Sequence, residues 1–343
     1  MKMESIKLAL TWEPLVSVVI NFYNERDNVD MAPACLCEQT YKNFEVILVD
    51  DGSTDGTAGE VIKKYGDRLP ILKVIRNDKP LGLRPARRKG VMAARGDIVI
   101  TLDLHTLFDK DFLQKIVNLF QEDNNIGVVG PLVLPYGERW FIKGEKLTEL
   151  FLFKLRKIFK GYKYAFGTAA AYRRDLLKKI GFLSESDLVE DIDASWKAYS
   201  LGFKIKISED LIVYHKSPYS SFTGWILRKL NDGKRAFIVF LNYPKKIIYP
   251  QFLMRFLFLS FILILPLIVV KLNIVNFIAL VIFVLSVYSL TMMMLVYKAT
   301  KYTFKLSWLF FHIIILVLYI LVSSLGFYLC ILAKIFGIKF RID

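Results

Sequence analysis

The chain has 343 residues, of which 54% are hydrophobic and 23% are charged, and its formal net charge at pH 7 is +15. This balance excludes a disordered or collagen-like chain, and three cysteines are too few for a disulfide scaffold. Free cysteines are typical of a reducing compartment such as the cytosol. Residues 251–343 combine long apolar runs with eight basic residues and one acidic residue. The composition therefore predicts a domain of ordinary polarity followed by a membrane tail.

Four short apolar, β-branched runs are predicted strands, and helical patterns separate them. Strands that alternate with helices favour an α/β domain with a mostly parallel sheet covered by helices on both faces. Ligands of such sheets bind beyond the carboxyl ends of the strands. The predicted strands are 16–20, 45–50, 71–75 and 97–102, and the predicted helices are 29–39, 58–65 and 85–94.

Polar side chains follow each of the four predicted strands, so we expect them to share one rim of the sheet. Sequences such as Asp-Gly-Ser are common in turns and helix caps, but capping alone does not explain four polar strand ends at one edge. The candidate rim residues are Asn21, Tyr23, Glu25, Asp50, Asp51, Arg84, Arg87, Asp103 and His105.

The second half of the domain contains a basic helix and an acidic motif. Residues 146–160 have helical apolar spacing with basic residues between, which is typical of a helix on a membrane surface or of a core helix with a charged outer face. Glu190, Asp191 and Asp193 stand at the start of a predicted helix over 192–201. Acids are favoured at a helix N-terminus, so these three either cap the helix or carry chemistry.

The tail contains three apolar runs that are close to or beyond the roughly 20 residues of a transmembrane helix. Three lysines between the second and third runs place that link in the cytosol by the positive-inside rule. Residues 1–15 lack the apolar core of a signal peptide, which agrees with a cytosolic front domain. We therefore predict a cytoplasmic domain over 1–245 and a multi-pass cell-membrane domain over 246–343, with spans at 253–270, 274–296 and 306–331.

Three motifs of the front domain resemble family 2 glycosyltransferases with the GT-A fold. They are Val-Ser-Val-Val-Ile-Asn-Phe-Tyr-Asn-Glu at 16–25, Val-Asp-Asp-Gly-Ser-Thr-Asp-Gly-Thr at 49–57 and Gly-Asp-Ile-Val-Ile-Thr-Leu-Asp at 96–103. The resemblance covers residues 15 to about 240. It implies a Rossmann-like mixed sheet and an enzyme of the hexosyltransferase type that uses a nucleotide sugar, either UDP- or GDP-linked.

The resemblance also implies roles at the donor. Asp51, next to Asp50, would accept the imide N–H of the base. Asn21 and Tyr23 would line the nucleoside, and Glu25 would support it.

Arg84 lies where family members often carry a basic residue near the diphosphate, and Arg87 is one helical turn later. A planar guanidinium suits phosphate oxygens. Either arginine could instead be a solvated residue of the basic run 84–89.

A departure from the family follows the fourth strand. The usual motif there is Asp-x-Asp, which holds Mg²⁺ or Mn²⁺ on the diphosphate, whereas this chain has Asp103-Leu-His105. It resembles the Asp-x-His of polypeptide N-acetylgalactosaminyltransferases, in which a distant histidine completes the site. His215 is the candidate here, unless it only packs at a strand end. A carboxylate with an imidazole suits Mn²⁺ better than Mg²⁺.

The Glu190-Asp191 pair matches the acceptor motif of the family. Asp191 would be the general base for the acceptor hydroxyl, with Glu190 orienting it or bonding the acceptor. Alternatively, Asp191 would stand beside an acceptor phosphate that needs no base. The small residues 167–171 would let the donor sugar approach the backbone. Glu-Asp favours inversion, although Asp-x-His resembles retaining enzymes.

We therefore expect a metal-dependent, membrane-anchored transferase that acts on a polyprenyl phosphate or a lipid-linked glycan. A processive synthase of a short polymer is an alternative, although the Gln-x-x-Arg-Trp motif is absent and three helices are few for a channel. A catalytically degenerate scaffold that binds nucleotide sugars is another. Nucleic-acid binding is rejected, because nearly half of the net charge lies in the tail, where lipid headgroups explain it.

Overall fold

The computed structural model describes residues 12–158, 164–185 and 189–242, together with scattered helical positions between 315 and 330. Contacts divide the chain into two compact units. The first comprises Met1–Leu134 and Lys163–Lys216, and the second comprises Pro135–Tyr162 and Ser217–Asp343. The predicted domain boundary at residue 245 lies outside the described residues and stays a prediction.

The strands of the chain form one mixed sheet. They are β1 Val16–Phe22, β2 Phe44–Asp50, β3 Leu72–Arg76, β4 Ile98–Asp103, β5 Thr106–Phe108, β6 Ile126–Tyr136, β7 Ala171–Arg173 and β8 Lys204–Lys216. Their order in the sheet is β3-β2-β1-β4-β7-β6-β8-β5.

The first four strands pair in parallel with one another. β1 pairs parallel with β2 and β4, and β2 pairs parallel with β3. β7 is antiparallel to β4 and β6, and β5 is antiparallel to β8. The predicted α/β fold with a mixed sheet is therefore confirmed, and the antiparallel half is what the strand pattern alone did not reveal.

The residues of β1, β2 and β4 are buried along their whole length. Continuous β-branched runs of this kind suit parallel strands, because helices cover both faces of the sheet. Their side chains divide between two buried clusters, one containing Val18 and Leu48 and the other containing Val19 and Ile47. This double-sided core fixes the strand ends that carry the site.

The helices of eleven residues or fewer belong to the first unit, and two longer helices belong to the second. The largest departure from the predicted boundaries is at 29–39, where the helix covers only Ala32–Cys37. Pro33 lies in its first turn, where the missing N–H leaves no hydrogen bond unmade. The helices are α1 Ala32–Cys37, α2 Thr57–Tyr65, α3 Leu83–Ala93, α4 Phe112–Glu122, α5 Trp140–Ile158, α6 Arg174–Lys179, α7 Glu190–Ser200 and α8 Phe222–Asn242.

The second unit buries an apolar cluster that includes Phe141 of α5, Trp225 of α8, and Ile315 and Tyr319. Leu150, Leu152 and Phe153 of α5 are buried, which favours the core-helix interpretation of 146–160, while the membrane-surface alternative stays a prediction. The basic side chains from 154 onward lie outside the described residues.

Among the residues that the structure describes, no helix is both long enough and apolar enough to cross a bilayer. The predicted spans 253–270 and 274–296 lie outside those residues. Of the third, 306–331, only scattered positions are described, and these are helical.

Candidate active site

The predicted polar rim forms at the carboxyl ends of the parallel strands. Asn21 of β1 is the register partner of Asp103 at the end of β4, and Phe22 is the partner of Asp50 at the end of β2. Asn21, Asp50 and Asp103 are all buried. The strand ends thus bring three acceptor-bearing side chains to one edge, as the sequence predicts.

Two histidines join this edge through the pairing of β5 with β8. Thr106 of β5 is the register partner of His215 in β8, which places His215 beside His105. The Nε2 atoms of the two histidines are 2.9 Å apart, and Nε2 of His215 is 3.3 Å from Oδ2 of Asp103. The structure therefore brings together the three residues that the sequence proposes as metal ligands.

These three residues fit a divalent ion. Each offers one ligand atom, and the atoms lie within 4.8 Å of one another. Ligand atoms about 2.1 Å from one ion and at right angles to each other lie about 3.0 Å apart. The two Nε2 atoms are 2.9 Å apart, and Nε2 of His215 is 3.3 Å from Oδ2 of Asp103. Two imidazoles and one carboxylate form a set that suits a transition metal better than Mg²⁺.

The electrostatics of the cluster favour an ionised carboxylate. Burial on its own would raise the pKa of Asp103, but the hydrogen bond with His215 and the charge of Arg87 outweigh it and hold the pKa well below its ordinary value. An ionised carboxylate is the form that coordinates a cation.

Arg87 is buried and connects the edge of the sheet to helix α7. Its Nε donates to Oδ1 of Asn21 at 3.2 Å, its Nη2 to Oδ1 of Asp103 at 3.0 Å, and its Nη1 to Oε1 of Glu190 at 2.5 Å. Since only 3% of the residue is exposed, the solvated alternative is wrong for Arg87. Its predicted contact with the diphosphate stays a prediction.

Arg84 is only partly buried and lies 3.5 Å, through Nε, from Oε2 of Glu190. Glu190 thus has a guanidinium at each oxygen, one fully buried and one that solvent reaches. Of the two arginines, Arg84 has the more accessible charge for an anionic ligand.

Asp191 lies at the start of α7, as predicted, and its carboxylate faces backbone donors. Oδ2 accepts from the N–H of Gly167 at 3.2 Å, and Oδ1 accepts from the N–H of Ile192 at 2.9 Å. Burial and the neighbouring charge of Glu190 raise the pKa of Asp191 to about 6. A carboxyl group with a raised pKa is suited to accept a proton near neutral pH.

Asp51 and Asp50 hold the loops that follow β2 and β3. The carboxylate of Asp51 accepts from Nδ2 of Asn77 and from the N–H groups of Leu81 and Gly82. Asp50 accepts from the N–H of Ser53, while its buried Oδ2 has no hydrogen-bond partner. Their roles at the nucleobase stay predictions.

Glu25 makes a contact that the sequence analysis missed. Its Oε2 lies 2.7 Å from Nδ1 of His105, on the opposite side of the ring from the nitrogen that faces the metal cluster. The two residues are 80 positions apart, so no local spacing could reveal the pair. Support of the nucleoside by Glu25, and the lining role of the exposed Tyr23, stay predictions.

The fold and site define a class of α/β transferase with the GT-A fold, and comparison with known proteins agrees. The profile described as Glycosyl transferase family 2 matches residues 17–181. The cholesterol galactosyltransferase of Borreliella burgdorferi is 29% identical over 52% of this chain and 53% of its own length. The amylovoran biosynthesis glycosyltransferase AmsB of Erwinia amylovora is 30% identical over 58% of this chain and 69% of its own.

Among solved structures, the mannosyltransferase PcManGT from Pyrobaculum calidifontis, in complex with GDP-Man and Mn²⁺, has a TM-score of 0.66 at 18% identity, covering 93% of this chain and 88% of that one. At that identity the likeness shows a shared fold. The chain belongs to glycosyl transferase family 2, which confirms the resemblance. Its match spans about half the length of the Borreliella relative.

Proposed function

We propose that this chain is a glycosyltransferase that moves a sugar from a nucleotide-sugar donor to a membrane lipid or lipid-linked glycan. One observation carries the proposal: a single buried guanidinium, that of Arg87, bonds both Asp103 of the metal cluster and Glu190 beside the candidate base. Arg87 thereby links the part of the site that is suited to a diphosphate with the part that is suited to an acceptor hydroxyl.

Asp103, His105 and His215 would hold the divalent ion, with Mn²⁺ favoured by the two imidazoles and Mg²⁺ as the alternative. A bound ion would offset the negative charge that gathers on the leaving diphosphate. The Mn²⁺ in the complex of the Pyrobaculum enzyme supports this assignment.

Asp191 would act as the general base. It takes the proton of the acceptor hydroxyl while that oxygen bonds to the anomeric carbon and the bond from this carbon to the diphosphate breaks. Attack opposite the leaving group inverts the anomeric configuration. Glu190, which is held in place by Arg84 and Arg87, would orient Asp191 or bond the acceptor. With an acceptor phosphate, which already has an anionic oxygen and needs no base, Asp191 would instead position the acceptor.

The donor would lie along the strand ends. Tyr23 is 47% exposed at the end of β1 and offers an aromatic face to the base. Arg84 offers a charge for the diphosphate. Both UDP- and GDP-sugars fit this arrangement, and the GDP-Man of the Pyrobaculum complex supports the second.

We further propose that the three apolar runs after residue 250 anchor the protein in the cell membrane with the catalytic domain in the cytoplasm. The acceptor would then lie in the bilayer beside the site. The name of the Borreliella relative, a cholesterol galactosyltransferase, supports a lipid acceptor.

The test uses membranes that contain the full-length protein, Mn²⁺ and radiolabelled UDP- and GDP-sugars. Label should appear in the organic-extractable lipid from one donor and should disappear with EDTA and in Asp191→Asn. The exposed acid Asp175, in the first turn of α6, provides the matched control Asp175→Asn, which should keep full transfer. Full transfer by Asp191→Asn would contradict the assigned base. Nucleotide binding without transfer to lipid, glycan or protein would instead support the degenerate-scaffold alternative.

A further inference from the structure

The contact between Glu25 and His105 determines which ring nitrogen of His105 is free. An ionised carboxylate only accepts hydrogen bonds, so Nδ1 of His105 carries the hydrogen that is donated to Oε2 of Glu25 at 2.7 Å. In the neutral ring, Nε2 then keeps its lone pair. That nitrogen is the one that faces His215 and the candidate metal position.

Glu25 is itself held by the loop that follows β2. Three successive backbone N–H groups donate to side chains of this loop: Asn24 to Oγ of Ser53, Glu25 to Oγ1 of Thr57, and Arg26 to Oδ2 of Asp55, each at 3.0 Å.

The contacts also run in the opposite direction, since the N–H of Thr54 donates to Oδ1 of Asn24. Nδ2 of Asn28, one turn along the chain, donates to Oε2 of Glu25 at 3.2 Å and fixes the carboxylate end. Both the backbone and the side chain of Glu25 are therefore constrained.

We propose that Glu25 is a positioning residue that holds His105 in the tautomer and orientation needed for metal binding, and that the Ser53–Thr57 loop braces it. Carboxylates that hold metal-ligating histidines in this way commonly account for a 10–100-fold change in metal affinity. The role rests on the proposed function, because it requires an ion at Asp103, His105 and His215. It also gives the Ser53–Thr57 loop a structural role, which is to hold the backbone of Glu25 in place.

The experiment measures Mn²⁺ binding, with the metal alone, to the purified full-length protein by the loss of the free-ion electron paramagnetic resonance signal. Glu25→Ala should raise the Kd by about 10–100-fold. Glu25→Gln keeps an acceptor oxygen and should lose less than about 5-fold. The matched control is Asp27→Asn, which should bind as the wild type does, because Asp27 is an exposed acid in the 3₁₀ helix Arg26–Asn28 that follows Glu25.

A second readout reports coordination directly. Electron spin echo modulation from ¹⁴N should show imidazole bound to Mn²⁺ in the wild type and a weakened signal in Glu25→Ala. Thr57→Val removes the hydroxyl that accepts from the N–H of Glu25, and it should raise the Kd for Mn²⁺ by a smaller factor. If Glu25→Ala does not fold, judged by thermal unfolding, Glu25→Gln and Thr57→Val carry the test.

The outcomes separate the two proposals. A wild type with ¹⁴N modulation, together with wild-type affinity in the folded Glu25 variants, would overturn the positioning role and leave the metal site intact. A wild type that binds no Mn²⁺ through imidazole would overturn the metal site, and the role of Glu25 with it. A graded loss across Thr57→Val, Glu25→Gln and Glu25→Ala is the expected result.

Discussion

Replacing Arg87 with methionine tests the connection between the sheet edge and helix α7. The substitution keeps an unbranched side chain but removes the donors that reach Asn21, Asp103 and Glu190. Two buried carboxylates then lose a cation, and an uncompensated buried charge is strongly destabilising.

The structure sets the expected magnitude. Breaking a buried ion pair costs about 3–5 kcal/mol. Glu190 would keep Arg84 at 3.5 Å, and Asp103 would keep His215 at 3.3 Å, so the loss should fall near the low end, about 3 kcal/mol. For a domain of 150–250 residues this lowers the Tm by roughly 6–12 °C.

Thermal unfolding of the purified full-length protein, followed by circular dichroism, measures this change. Arg68→Met is the matched control, because Arg68 forms an exposed pair with Glu38 and such pairs contribute about 0–1 kcal/mol. Arg87→Met with the Tm of Arg68→Met would refute the reasoning, because the guanidinium would then not be compensating the buried acids.

Three further predictions concern other parts of the chain. Asp191 must be ionised to accept a proton, so kcat/KM should fall as the pH drops through about 6, and Glu190→Gln should move this acid limb of the pH profile to lower pH. In Gly167→Ala the new Cβ would lie 2.7 Å from Nη1 of Arg87, whose position is fixed by its hydrogen bonds, and the variant should be less stable by about 1–3 kcal/mol in thermal unfolding. Gly59→Ala is the control: its new Cβ would meet nothing within 4 Å, and the variant should be more stable by about 0.4–1 kcal/mol. Lys229→Met leaves Glu145 without its cation, whereas Asp232 keeps Arg228 at 3.5 Å, and stability should fall by about 3 kcal/mol in the same assay.

The parallel half of the sheet was predictable from the sequence because β1, β2 and β4 are mostly apolar runs with polar residues at their carboxyl ends. The strand β1 runs two residues beyond the predicted 16–20, since Asn21 and Phe22 still pair with β2. Three-residue β5 was not predictable: its pairing partner in β8 lies about a hundred residues further on, and so short a strand carries no periodic signal.

The candidate site shows the same division between local and distant information. Asp103 and His105 were found because they stand where the resembling family carries its metal motif, and His215 because a distant histidine completes the Asp-x-His site. Burial of Arg87 could not be predicted from a run of basic residues, because the acids that it bonds lie far away in the chain, Glu190 being 103 positions distant. Side chains that act through a non-local partner need the fold before their role can be inferred.

The pairing of β5 with β8 also has a consequence for biosynthesis. His215 follows His105 by 110 residues. A ribosome adds about 5–20 residues per second, so His215 is made roughly 5–20 s after His105. The nascent chain therefore carries its parallel strand ends for several seconds before all three candidate ligands can meet, and a metal ion that arrives early finds only a partial set.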